Sequence, residues 1–216
     1  MALLDLLLPG TCAGCGRYGA LLCAACTSSL RPAQAESDRF AASDPGIVVG
    51  DELALAVAAF VHDGTLRRVL QRLKYGGAGR LAGPLAESAA PALHRLIALT
   101  GNATLVPVPL HASRRRQRGY NQAELLAVEL GRRVGLPVDD VLVRHRQTAR
   151  QHGLGRAARL HNLRGAVAVR SDARPARIAI VVDDILTTSA TLEACAEVLR
   201  LHGTQSAYGF TLAREI

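Results

Sequence analysis

The sequence predicts an α/β protein with a mainly parallel sheet flanked by helices, preceded by a small cysteine-rich element. Three observations carry that expectation. From residue 51 onward, short aliphatic runs alternate with stripes of helical period, the pattern of strand–helix–strand units. One run, Ile178-Ala-Ile-Val-Val182, ends in Asp183-Asp184 and a turn of small hydroxyl residues that leads into a helix. Two Cys-x-x-Cys pairs stand close together ahead of all of this. With 216 residues, 49% of them apolar, the chain is long enough for one ordinary domain plus an appendage. That apolar share excludes wholesale disorder. Aromatics make up only 3% and Trp is absent, so the core has to be aliphatic.

The elements follow in order. Residues 1–9 are leucine-rich but short, lack a basic residue and are interrupted by Asp5, so they do not read as a signal peptide. The two cysteine pairs come next, and residues 31–50, rich in Ala, Ser, Asp, Pro and Gly, read as a linker. The expected division is therefore 1–45 for the cysteine element with its linker and 46–216 for the α/β domain. Leu66, Val69, Leu70 and Leu73 fall at helical spacing, with Thr65 as N-cap and Gly76-Gly77 as the stop. Residues 79–99 read as a second, less periodic helix. The run 104–110, TLVPVPL, is a short buried strand whose prolines mark its exit from the sheet. Asn121 caps the next helix, with Glu124 at capping-box spacing, and Gly135-Leu-Pro137 ends it. Residues 138–144, 167–170 and 177–182 read as strands, and 147–164 as a polar, arginine-rich mobile loop. A helix over 191–202, stopped by Gly203, and a strand over 205–213 complete the chain.

Cys12-Ala-Gly-Cys15 and Cys23-Ala-Ala-Cys26 are separated by seven residues. Four thiolates on two tight knuckles suit tetrahedral Zn²⁺, and a four-cysteine set leaves no open position, which makes the site structural. Clustered thiols of this kind belong to a reducing compartment, so a cytoplasmic location is expected. Cys195 shares an apolar helical face with Leu192, Ala196 and Leu199 and reads as core. No run reaches the ~20 apolar residues that a membrane span needs, so no membrane insertion is expected.

The stretch from Arg177 to Thr191 carries the sharpest chemistry. In an open α/β sheet the ligand crevice lies at the carboxyl ends of the strands. A helix N-terminus there, with unpaired N–H groups and a positive dipole end, suits a phosphate. The hydroxyls of Thr187, Thr188, Ser189 and Thr191 come from small residues and add donors without blocking close approach of the backbone. Asp183 and Asp184 would repel that phosphate. They suit sugar hydroxyls, or a Mg²⁺ ion bridging to a second anion. A phosphate pole beside a diol-or-metal pole describes a ribose 5-phosphate.

Charge is unevenly spread. The chain has a formal charge of +8, yet between His111 and Arg177 there are 15 arginines against five acids. Such a block fits an anionic partner, either nucleic acid or a polyphosphate. All basic residues but one are arginine, and the single lysine is Lys74.

The order of residues from Arg177 to Thr191 resembles the fingerprint of type I phosphoribosyltransferases, which bind 5-phosphoribosyl-1-pyrophosphate (PRPP). In that resemblance Asp183 and Asp184 hold the ribose hydroxyls, while Thr187, Thr188, Ser189, Ala190 and Thr191 wrap the 5-phosphate. Ser189 departs from the pattern, since many members have Gly there. Val106-Pro-Val-Pro-Leu110, followed by Arg114, Arg116 and Arg118-Gly-Tyr-Asn-Gln-Ala123, resembles the ComF proteins. These are phosphoribosyltransferase-like proteins linked to competence and DNA uptake. The four cysteines, Leu73-Lys-Tyr-Gly76 and the Gln151…Arg159…Asn162 spacing fit the same family. The resemblance implies a type I phosphoribosyltransferase-like fold with an N-terminal zinc ribbon. It also implies a pyrophosphate loop at Leu110 and His111, neutralised by Arg114, Arg116 and Arg118, and a catalytic loop over 147–164.

Two functions compete. One is an enzyme that transfers phosphoribose from PRPP, with Mg²⁺, to a nitrogen acceptor and releases pyrophosphate. A glutamine-dependent version is disfavoured, because four cysteines are assigned to metal and Cys195 to the core. The other is a non-catalytic module acting on DNA or DNA-uptake proteins, or sensing nucleotides. The arginine block favours it, but Tyr120 is the only aromatic between His111 and Arg177 on which a base could stack.

Overall fold

The computed structural model describes residues 10–33, 47–75, 77–145 and 165–215. The expected loop 147–164, with Gln151, His152, Arg159, His161 and Asn162, lies outside the described residues, as do 1–9 and most of the expected linker. Among the described residues the chain forms α1 (Ala24–Ser28), β1 (Ile47–Val48), β2 (Leu55–Val61), α2 (Gly64–Tyr75), a 3₁₀ turn (Gly79–Leu81), α3 (Ala82–Thr100) and β3 (Thr104–Pro107). Then come α4 (Ala112–Arg118), α5 (Gln122–Val134), β4 (Leu142–Arg144), β5 (Val167–Val169), β6 (Ile178–Leu186), α6 (Ala190–Leu201) and β7 (Ser206–Arg214).

The sheet runs in the order β1-β2-β7-β6-β3. Its four inner and outer neighbours β2, β7, β6 and β3 are parallel, and the two-residue β1 joins antiparallel at the β2 edge. β4 and β5 form a separate antiparallel pair. A parallel sheet is covered on both faces, and the period of two along β6 shows how. Ile180 and Val182 pack with Phe210 against α2, α3 and α5. Ala179 and Val181 face the other way, onto Leu192, Cys195 and Leu199 of α6 and Leu142 and Val167 of β4 and β5. The result is a three-layer α/β architecture with an aliphatic core, as the composition implied. Cys195 is fully buried in the second layer.

Several boundaries differ from the expected ones for local reasons. α2 opens at Gly64, where the Arg67 N–H donates to the Asp63 carbonyl. Thr65 therefore lies inside the first turn and is not the cap. The expected strand 138–144 is split: Val138 forms a lone parallel bridge to Leu105, while only 142–144 pair with β5. The polar Asp139-Asp140 pair intervenes, and Asp140 is held by Arg170. Residues 31–33 of the expected linker are drawn into the structure, because Ala33 N–H donates to the Ala59 carbonyl and the Arg31 carbonyl accepts from Val61.

Helix ends in the middle of the chain form as the sequence implied. Asn121 Oδ1 accepts from the Ala123 N–H, its Nδ2 donates to the Val108 carbonyl, and Gly135 adopts φ 73° at the end of α5. Glu124 turns to Arg115 instead of completing the capping box, with a 3.0 Å ion pair.

Candidate functional site

Two places concentrate chemistry, and α2 touches both. The first is at the carboxyl ends of β3 and β6. β6 is longer than the aliphatic run implied, because its ladder with β7 continues through Asp183↔Thr211 and Ile185↔Ala213. On its other side, pairing with β3 ends at Pro107↔Val182, followed by a bond from the Val108 N–H to the Val182 carbonyl. Asp183 and Asp184 thus lie just past the point where β3 leaves the sheet. The turn 187–189 follows, and α6 begins at Ala190.

Neighbouring residues on a strand face opposite sides of the sheet, and the two acids differ accordingly. Asp184 faces the α2 layer and is buried; its Oδ2 lies 2.7 Å from Lys74 Nζ, with side-chain exposures of 6% and 19%. Asp183 faces the α6 layer, where it interacts electrostatically with Cys195 and with the largely buried Arg144 of β4. Loss of water pushes the Asp183 carboxyl up to about 8, and repulsion from Asp184 adds to this. The Asp184 N–H, 2.8 Å from Asp183 Oδ1, and the Lys74 charge oppose the shift. Burial also pushes the Cys195 thiol up to about 12, so that it stays protonated at neutral pH.

Ser189 is the N-cap of α6, with φ 55°. It is the only non-glycine residue with positive φ among those described. A left-handed conformation costs an L-residue about 1–2 kcal/mol, which accounts for Gly at this place in the pattern the chain resembles. Its hydroxyl donates to the Thr188 carbonyl at 2.6 Å. Ser189→Gly is expected to raise the unfolding free energy by about 0.5–1 kcal/mol once the extra freedom of Gly is subtracted. A shift of the denaturation midpoint at constant slope checks this.

The arginines expected to neutralise a pyrophosphate are on a helix, not a loop. His111 caps α4, its Nδ1 accepting from the Ser113 N–H. At 100° per residue Arg114 and Arg118 share one side of α4, and Arg116 points away from both. Arg118 donates to Gln122 Oε1 at 2.8 Å, and its guanidinium lies 5.1 Å from the centre of the Tyr75 ring. Leu110 and His111 are both half-buried at the exit of the β3 strand. The motif Leu73-Lys74-Tyr75 therefore links both parts, Lys74 reaching Asp184 and Tyr75 reaching Arg118. Arg144 was not visible as a site residue from sequence; its only signal was a charged residue ending an apolar strand.

The second place is the cysteine cluster. Cys12 and Cys26 are buried, Cys23 is half-buried and Cys15 is exposed, and all four sulfurs lie within 4.8 Å of one another. Zn–S bonds of about 2.3 Å at tetrahedral angles place sulfurs roughly 3.8 Å apart; Cys15 and Cys23 are 3.7 Å apart. The four sulfurs are thus placed to hold a metal ion such as zinc. Burial pushes the Cys12 thiol up, but the amides of Cys23, Cys15 and Gly14 outweigh it and hold it at about 6. Cys26 is pushed up to about 12 by burial and by the neighbouring thiols. The cluster sits on α2, whose Arg68 donates to the Gly14 carbonyl at 3.0 Å and Arg72 to the Cys12 carbonyl at 3.4 Å. A Cβ at Gly14 would meet Cys26 Sγ at 2.6 Å and Thr65 at 2.8 Å, so this knuckle needs Gly for close approach.

Among the described residues no helix is long and apolar enough to cross a membrane. No family model matches the chain. Over 113 residues it is 37% identical to "Competence protein F" of Haemophilus influenzae, a match covering 51% of this chain and 49% of that protein. It is 33% identical to "DNA utilization protein YhgH" of Escherichia coli K12 and 32% to that of Salmonella typhi, each over 52% of this chain and 49% of the relative. The chain spans about half the length of the curated relatives it matches. Among solved structures, orotate phosphoribosyltransferase from Aeropyrum pernix aligns over 78% of this chain and 73% of that one, with a TM-score of 0.35 and 18% identity. The chain is thus homologous, over half its length, to competence protein F and the YhgH proteins.

Proposed function

We propose that this is a ComF-like protein of the phosphoribosyltransferase type that binds PRPP with Mg²⁺ at the carboxyl ends of β3 and β6. It would transfer phosphoribose to a nitrogen acceptor and release pyrophosphate. The observation that carries the reading is the succession of a half-buried Asp183 at the end of a central parallel strand, a short hydroxyl-rich turn, and the N-terminus of the 12-residue α6. The 5-phosphate is assigned to the turn of Thr187, Thr188, Ser189, Ala190 and Thr191, where N–H groups at the head of α6 and hydroxyls donate to it. The ribose hydroxyls are assigned to the acidic pair, and the pyrophosphate to the segment of Leu110, His111, Arg114, Arg116 and Arg118. Mg²⁺, when bound, would neutralise the pyrophosphate as a leaving group; the hard oxygen donors here suit it. In the transfer the C1–oxygen bond to pyrophosphate breaks, the nitrogen–C1 bond forms, and the nitrogen loses a proton. Cys195 is too deeply buried to generate ammonia from glutamine. The cysteine cluster would hold structural Zn²⁺.

The names of the relatives support a second reading, a nucleic-acid-associated module for DNA uptake, and so does the arginine block. The two separate in a titration with PRPP and with a single-stranded oligonucleotide at rising salt. The proposed function predicts PRPP binding that requires Mg²⁺ and persists at 300 mM salt, whereas contacts to a phosphate backbone weaken steeply. Oligonucleotide binding without any PRPP binding contradicts it.

A pH dependence follows from Asp183. Its raised carboxyl means that the folded protein favours the protonated form, so unliganded stability falls as pH rises through about 8. Sugar hydroxyls need the ionised acceptor, so PRPP affinity should move the opposite way. It is expected to strengthen up to about tenfold per pH unit between about pH 6 and 8, then level off. Calorimetry at several pH values in buffers of matched ionisation heat checks this.

A further inference from the structure

We propose that Glu193 is a positioning residue for the phosphate-binding turn. Its buried carboxylate ties the head of α6 to the loop between β1 and β2 and so keeps the N–H groups of 190–192 aimed at the 5-phosphate. The role rests on the ribose-phosphate reading of that turn and adds what holds it in shape. A helix leaves its first N–H groups without a partner inside the helix, and a side-chain cap normally takes one of them. α6 has no such cap: Ser189 turns its hydroxyl to the Thr188 carbonyl and adopts φ 55°. The first bond of the helix runs from the Glu193 N–H to the Ser189 carbonyl at 2.9 Å. The N–H groups ahead of it are those a phosphate needs. An uncapped end that also carries a left-handed serine frays readily unless something else restrains it.

Glu193 supplies that restraint from the side. It is only 2% exposed, and burying a carboxylic acid costs free energy unless donors meet it. Its Oε2 accepts from the Glu52 N–H at 2.8 Å and from the Leu53 N–H at 3.3 Å. Gly50 lies against the other oxygen: a Cβ there would come within 1.6 Å of Glu193 Oε1 and 2.6 Å of Cδ. The loop thus has glycine where the carboxylate approaches its backbone. The loop is itself anchored. Gly50 N–H donates to the Leu53 carbonyl and Ala54 N–H to the Ala207 carbonyl of β7. Leu53 shares a buried apolar cluster with Leu192 of α6, and Glu52 meets Arg200, two turns along α6, at 3.6 Å. The tie therefore grips α6 at the residue whose N–H makes its first bond. Without it that bond opens, the N–H groups ahead of it scatter, and affinity falls with the fraction of closed heads.

The test combines calorimetric titration with ribose 5-phosphate and amide hydrogen exchange. Glu193→Ala is expected to weaken ribose 5-phosphate about tenfold or more. It should also speed exchange at the first bonded amides of α6, 193–195, by a similar factor, with the amides of β6 and β7 unchanged. Glu193→Gln keeps an acceptor for the two loop amides and is expected to stay within about threefold of wild type in both readouts. Gly50→Ala leaves Glu193 in the chain but pushes its carboxylate off those amides, and is expected to reproduce Glu193→Ala. A Glu193→Ala or Gly50→Ala protein that binds ribose 5-phosphate like wild type overturns the proposal. So does faster exchange spread evenly over β6 and β7, which marks a general loss of stability. If Glu193→Ala does not fold, Gly50→Ala decides. No binding of ribose 5-phosphate by wild type overturns the ribose-phosphate reading, and the proposal with it; binding by wild type with the wrong variant pattern overturns the proposal alone.

Discussion

Asp183→Asn is expected to weaken PRPP binding about 100-fold or more while leaving the melting temperature unchanged or slightly higher. The binding loss follows from the acceptor: a carboxylate receiving two hydroxyls contributes about 1.5–3 kcal/mol per bond, and the amide that replaces it accepts only weakly. The stability result follows from the environment. Burial and the adjacent Asp184 disfavour charge on Asp183, so the fold gains nothing from ionising it at neutral pH. A group that the fold tolerates at a cost and the ligand requires is the usual mark of a functional position. A variant that lost binding together with a large drop in melting temperature would place Asp183 in the framework instead.

Replacing Cys12 and Cys15 by Ser is expected to abolish metal binding and to lower the melting temperature by more than about 10 °C. Elemental analysis of the purified, reduced wild type should find one zinc per chain, and the variant close to none. The stability loss is large because the cluster is not a detached appendage. Cys12, Ala13, Leu22, Cys26 and Leu30 share one apolar cluster with Phe60 of β2 and with Leu66 and Val69 of α2. Releasing the knuckles would uncover that face and free the Gly14 and Cys12 carbonyls from Arg68 and Arg72. Structural zinc contributes about 10–16 kcal/mol in small isolated modules, and half of that, at about 2–4 °C per kcal/mol for a domain of this size, corresponds to a shift of more than about 10 °C. Metal-free wild-type protein with the same melting curve would leave the four cysteines without a structural role.

The sequence revealed the layered architecture because the evidence for it is local. The Ile178–Val182 run, the stripe from Leu66 to Leu73 and the Asn121 cap each depend on a few consecutive residues. The cysteine cluster was readable for the same reason. What could not be read were contacts across the chain. Lys74 and Asp184 are 110 positions apart, and only the packing of α2 against the sheet brings them to 2.7 Å. Arg144 reaches the neighbourhood of Asp183 because β4 lies over the α6 face, a placement with no sequence pattern of its own. The helical state of Arg114, Arg116 and Arg118 was hidden by composition, since a run of arginines gives no apolar stripe to reveal a turn. The end of β6 was misjudged for a related reason: acids normally close a strand, but pairing with β7 carries the ladder past them.

The central claim is that the turn after β6 holds a 5-phosphate and the acidic pair Asp183 and Asp184 the ribose. A crystal structure of the protein grown with PRPP and Mg²⁺ at saturating concentration tests it most directly. The account predicts the 5-phosphate against the backbone N–H groups of 187–191, with the ribose hydroxyls on the acidic pair Asp183 and Asp184. PRPP bound elsewhere, or an empty turn under those conditions, would contradict it.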